Sequence, residues 1–194
     1  MRTAVPRCWS LACLLVCVCF AAGTARAAES LLHKNAPEFV LADLNGNKVD
    51  LHAYRGKVVL LDFWATWCAP CQLEMPRFVA WQKQYGPRGL RVIGISMDDD
   101  PELARKLCKK LRLNYPVMMG DEKIGELYGG VLGLPVTFLI DSHGVVRAKF
   151  QGETDMNAME EQLRRFFSSL EGATDCGKNL ASRLVLPPSY FEFV

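Results

Sequence analysis

The chain has 194 residues, a formal net charge of +2, 23 Lys and Arg against 21 Asp and Glu, and eight cysteines. No Lys/Arg stripe interrupts it, so the footprint of a nucleic-acid-binding protein is absent. The length suits one ordinary domain with its own hydrophobic core.

Residues 1–27 carry Arg2, Arg7 and Arg26 with no acid, an apolar middle, and the small-residue exit Ala25-Arg26-Ala27. That pattern predicts a secretory signal peptide cleaved after Ala27; left uncleaved, the segment would anchor the protein in a membrane. Removal takes away Cys8, Cys13, Cys17 and Cys19 and brings the remainder close to −1. Export also places the remaining thiols in an oxidising compartment.

Residues 37–51, "PEFVLADLNGNKVDL", read as a hairpin turning at Asn45-Gly46, both of which tolerate positive φ. "KVVLLDFWA" is a nearly unbroken apolar run that suits a strand buried on both faces. "CAPCQLEMPRFVAWQKQYG" follows as a helix ended by Gly86 and Pro87. Then come a second buried strand, "LRVIGISM", and a helix with Asp100 as N-cap and Pro101 at its first position. Leu103, Ala104, Leu107, Cys108 and Leu111 form that helix's apolar stripe, which makes Cys108 a core residue. "NYPVMMGDEKIGELYGGVLGLP" reads as a connector with a short helix over 122–128. "VTFLID" and "VVRAKFQG" are strands joined by a turn, and 155–170 is a final amphipathic helix. Strands alternating with helices and closing on a hairpin predict an α/β fold: a mixed central sheet with helices on both faces.

The chemistry concentrates in "LDFWATWCAPCQLEMP", residues 61–76. A structural zinc site needs four Cys or His ligands, commonly as two close pairs. No second pair exists, and His33, His52 and His143 are scattered, so no metal is expected. A purely structural bridge across two residues would constrain little of the unfolded chain. A Cys-x-x-Cys at the start of a helix is, by contrast, an arrangement that lowers a thiol's pKa through unpaired N–H groups and the helix dipole. Cys68 is therefore the expected attacking thiolate, exposed at the helix start, and Cys71 the resolving thiol.

"DFWATWCAPC" together with "GLPVTFLID" resembles the thioredoxin superfamily, specifically its exported TlpA/ResA-like branch, over about residues 35–170. The resemblance implies a thioredoxin fold with an N-terminal β-hairpin extension, a domain spanning 28–170, and a cis peptide before Pro135. It implies a thiol–disulfide oxidoreductase that reduces protein disulfides, in cytochrome c maturation or copper-centre assembly. The redox group would be the Cys68–Cys71 disulfide itself, with no other cofactor; the protein would be a monomer recharged by a membrane-bound thiol reductant. Trp67, Ala69, Pro70, Leu134 and Pro135 would contact substrate, and Pro76 matches the family's helix-kinking proline. Asp62 matches the acid that handles the resolving cysteine's proton, and Glu74 a glutamate of the active-site cavity. Asp62 has only apolar neighbours, so a charge there needs a task or a partner.

Two rival readings use the same fold. A thiol peroxidase would need Thr or Ser three residues before its cysteine and Pro seven before; those positions are Ala65 and Leu61. A non-catalytic binding module would not need the intact dithiol. Residues 171–194, with Cys176 and apolar "LVL" and "YFEF", extend past the resemblance and are expected to fold back or form a contact surface.

Overall fold

The computed structural model describes residues 30–131 and 133–167. The expected leader, Leu170 and the 171–194 extension with Cys176 lie outside them.

The centre of the molecule is β3, Val58–Trp64, whose seven residues are all buried. It is buried because both its edges and both its faces are covered. It pairs in parallel with β4 (Leu90–Ser96) and antiparallel with β6 (Val136–Ile140). Beyond these lie β5 (Val117–Met119), parallel to β4, and β7 (Val146–Gln151), antiparallel to β6. The five-stranded order is β5-β4-β3-β6-β7. β5 is a correction: residues read from sequence as connector form a strand, because the short "VMM" run completes the edge beside β4.

Alternation along β3 divides its side chains between two cores. Val58, Leu60 and Trp64 face one cluster, while Val59, Leu61 and Phe63 face the other. The first core is roofed by three helices: α1 (Ala69–Tyr85), α2 (Pro101–Leu111) and α4 (156–167). They contribute Phe78 and Trp81, Ala104 and Leu107, and Met159 and Leu163. The second is covered by the short α3 (Glu122–Leu127) and by the hairpin of β1 (Val40–Ala42) and β2 (Lys48–Asp50). Each fully buried Leu or Phe contributes roughly 1.5–3 kcal/mol, so two such layers supply most of what holds the sheet.

Four local features follow from identifiable residues. The hairpin turns through Leu44, Asn45 and Gly46, and only Gly46 takes a positive φ (85°), not both turn residues. The Asp43 carboxylate supplies the rest, accepting the N–H groups of Asn45 and Asn47 at 2.8 Å each. On α2, Asp100 caps as expected, accepting the Glu102 N–H at 2.8 Å. Leu103 is a second correction: it is 51% exposed, since it falls at the edge of the stripe that Ala104 and Leu107 centre. Gly94, in β4, is required for packing. A Cβ there would sit 2.9 Å from Trp64 Nε1 and 3.2 Å from Val117 Cγ2, in space the Tyr115 ring also borders.

Candidate active site

β3 runs out at Trp64, and the chain reaches α1 within five residues. The loop between them is fixed by a residue that sequence reasoning passed over. Asp98, 6% exposed just past β4, accepts the Thr66 N–H at 2.9 Å, the Thr66 hydroxyl at 2.6 Å and the Ser96 hydroxyl at 2.7 Å. Gln72, on the first turn of α1, donates back to the Thr66 carbonyl at 2.8 Å. The only sequence signal was the "DDD" run, which reads as a solvated turn and helix cap.

Cys68 is the N-cap of α1 and Pro70 lies in its first turn. The Cys71 N–H donates to Cys68 Sγ at 3.3 Å, and the two sulfurs are bonded, with Cα atoms 5.3 Å apart. Both residues are buried, Cys68 at 4% and Cys71 at 1% exposure. The expected exposure of Cys68 therefore does not hold in the bonded state: capping turns its sulfur inward over the first helical turn. The exposed groups are its neighbours, Trp67 at 72%, Ala69, and Leu73 at 75%.

Leu134–Pro135 is a cis peptide immediately before β6. Since Phe63 is opposite Val136 in the antiparallel register, Pro135 falls beside the end of β3 that leads to the dithiol. Leu134 is half-buried and packs against the core that contains Cys68 and Cys71. The Pro135 carbonyl accepts the Gly152 N–H at 2.9 Å, which ties the loop between β7 and α4 to this corner.

Two buried carboxyls complete the site. Asp62 shares β3's face with Leu60 and Trp64, so it points into the core that holds the dithiol. It is 1% exposed and accepts the Thr137 hydroxyl at 3.0 Å. Burial pushes its carboxyl up to about 8; the Thr137 bond opposes this, and the charge of Glu74 adds to it. Glu74 lies on the α1 stripe Cys71, Met75, Phe78, which explains its 5% exposure. Its Oε1 has no hydrogen-bond partner among the described residues. Burial pushes it up to about 7, opposed by a backbone hydrogen bond from Thr154 and reinforced by Glu153. A dithiol at a helix start, with two buried carboxyls on the same core that hold protons near neutrality, can exchange disulfides and move the accompanying protons. Pro76 lies inside α1 on its exposed side.

The sequence matches the AhpC/TSA family over residues 32–149. Thiol-disulfide oxidoreductase ResA of Bacillus thuringiensis subsp. konkukian is 37% identical over 134 residues, covering 68% of this chain and 76% of the relative. Thioredoxin-like protein YneN of Bacillus subtilis is 34% identical over 133 residues, covering 67% and 77%. Among solved structures, a Chlorobium tepidum protein assigned as a thiol:disulfide interchange protein DsbE superposes with a TM-score of 0.67 at 31% identity. That match covers 72% of this chain and 99% of the other.

Proposed function

This chain belongs to the AhpC/TSA family and is a thioredoxin-fold thiol–disulfide oxidoreductase with ResA-type relatives, and from that premise we propose that it works outside the cytoplasm as a reductant of protein disulfides. The observation that carries the proposal is the Cys68–Cys71 bond at the N-terminus of α1, next to the Leu134–Pro135 corner. In this reading Cys68 attacks and Cys71 resolves, with Asp62 and Glu74 taking and returning protons. Trp67, Ala69, Pro70, Leu134 and Pro135 form the surface against which an extended substrate segment lies. Residues 1–27 act as a cleaved export signal, the working compartment is the periplasm, and a membrane-bound thiol donor recharges a monomer. Cysteines awaiting haem or copper, in cytochrome c maturation or copper-centre assembly, are the proposed substrates.

Ala65 and Leu61 stand where a thiol peroxidase would need a hydroxyl and a proline, and both are fully buried. A peroxidase reading therefore lacks its activating groups despite the family name.

The direction of electron flow is tested by the reduction potential of the Cys68–Cys71 pair in defined thiol buffers. A reductant should titrate below about −200 mV, on the thioredoxin side of the range; a value near the ~−120 mV of a strong oxidant would reverse the assignment. Each 30 mV is about tenfold in equilibrium, so the two cases separate cleanly.

Glu74→Gln tests the proton role. With its carboxyl near 7, Glu74 is a base above that pH and an acid below it. The substitution should slow exchange severalfold at and above pH 7 and remove the inflection there, as read by stopped-flow rates against pH. A profile identical to that of the unsubstituted protein would make Glu74 a buried carboxyl with no part in the reaction.

A further inference from the structure

Asp62 belongs to a row across the sheet whose middle member has no side chain. In register, Asp62 on β3 lies beside Gly94 on β4, and Gly94 beside Val117 on β5. The row faces the core that holds the dithiol, together with Leu60 and Val92 one step along each strand's same face. Neighbouring strands are about 4.8 Å apart, so a group lying over Gly94 is within a side chain's reach of the Asp62 carboxyl.

Two polar side chains lie there. A Cβ on Gly94 would meet Trp64 Nε1 at 2.9 Å and Tyr115 Cε2 at 3.5 Å. Both side chains are buried, Tyr115 at 8% exposure, and neither the indole N–H nor the phenol hydroxyl has a hydrogen-bond partner among the described residues. Buried donors without a partner are rare in folded proteins. Here they stand beside a carboxyl that must change charge if it is to take a proton.

The groups around Asp62 differ in what they favour. Burial and the charge of Glu74 on α1 disfavour its ionised form, and the Thr137 hydroxyl on β6 opposes them. Tyr115 feels the Asp62 charge from the segment entering β5, and burial with that charge holds its phenol well above the ordinary range. Cys108 on α2 faces Tyr115, and its thiol is pushed up to about 11. Tyr115 therefore stays protonated at neutral pH, and a protonated donor beside a carboxylate favours the charged form.

We propose that Tyr115 is a positioning residue for the resolving step: its hydroxyl donates, directly or across one water, to the Asp62 carboxylate that takes the Cys71 proton. The proton passes from Cys71 Sγ to Asp62 as Cys71 attacks Cys68, and Tyr115 keeps its own. This role rests on the one proposed for Asp62.

Tyr115→Phe removes the hydroxyl and keeps the ring that fills the space over Gly94. Carbon-13 NMR of labelled aspartate, with the signal assigned by its loss in Asp62→Asn, follows the Asp62 carboxyl in the reduced protein. It should titrate about one pH unit higher in Tyr115→Phe, the scale of one hydrogen bond to a charged group. Resolution of a mixed disulfide should slow about tenfold at pH 7, and the gap should close as pH rises past both titrations. Capture of a partner in the Cys71→Ser background should not change. Adding Tyr115→Phe to Asp62→Asn should slow resolution no further. An unshifted Asp62 titration, with Asp62→Asn still slow, would overturn the role of Tyr115 and leave that of Asp62 standing. A further loss in the double variant would reduce Tyr115 to packing. Asp62→Asn resolving at the original rate would remove both residues from the reaction.

Discussion

A Cys71→Ser variant should retain a disulfide-bearing partner as a covalent complex, whereas Cys68→Ser should capture nothing and lose turnover to the uncatalysed background. The asymmetry follows from position on α1. Cys68 is the N-cap, where the Cys71 N–H reaches its sulfur at 3.3 Å and the helix dipole adds to the stabilisation of negative charge. Cys71 lies one turn inside, at 1% exposure, where desolvation disfavours a thiolate. When the partner disulfide meets Cys68, the Cys68 thiolate forms a new S–S bond and the partner's other sulfur leaves as thiolate. Cys71 then gives up its proton and attacks Cys68, which restores the internal disulfide and releases the partner's second thiol. Serine at 71 stops the sequence at the mixed species. Non-reducing gels of both variants with a disulfide-bearing partner read this directly. Capture by Cys68→Ser and none by Cys71→Ser would assign attack to the second cysteine; unaltered exchange in both would remove the pair from the chemistry.

Asp62→Asn should slow the resolving step by about 10²-fold or more, the usual scale for losing a positioned general base, while making the oxidised protein more stable at pH 7. The two effects have one origin. The folded-state carboxyl is raised to about 8 from its usual 3.8, because burial penalises its charge. Between those pH values the folded protein binds more protons than the unfolded chain, so stability falls as pH rises through this window. The contribution is fully present below about pH 4 and is lost by the time pH passes about 8. An amide has no proton to lose and still accepts from Thr137, so thermal unfolding of the variant should show a flatter pH dependence between pH 4 and 8. Mixed-disulfide formation through Cys68 should be almost unaffected, since the role proposed for the acid is to serve Cys71. A variant that resolves mixed disulfides at the original rate would leave Asp62 a buried carboxyl that merely costs stability.

Local chemistry made much of the molecule legible in the sequence. β3 and β4 show as apolar runs because they are covered on both faces, and α2 announces itself through Asp100 and Pro101. The dithiol is legible because its spacing and its place after a buried strand coincide. β5 was not legible: three residues carry too little pattern, and only the pairing with β4 makes them a strand. Glu74 was ambiguous as a polar residue on a helix, although its place three residues after Cys71 and four before Phe78 puts it on the buried stripe. Asp98 could not be found from local pattern, because its partners Thr66 and Ser96 come from the ends of two different strands. The burial of Cys68 depends on which way a cap side chain turns, which spacing does not specify.

Thr66 is gripped by Asp98 on one side of the dithiol, and Gln72 reaches back to Thr66 from the other. Neither contact involves the side chains of Ala69 or Pro70. The two intervening residues therefore behave as an exchangeable cassette between fixed posts. Swapping them alters the surroundings of the sulfurs without dismantling the supports that hold the helix start in place. A protein built this way can be retuned as an electron donor by two codons, with the rest of the machine left standing.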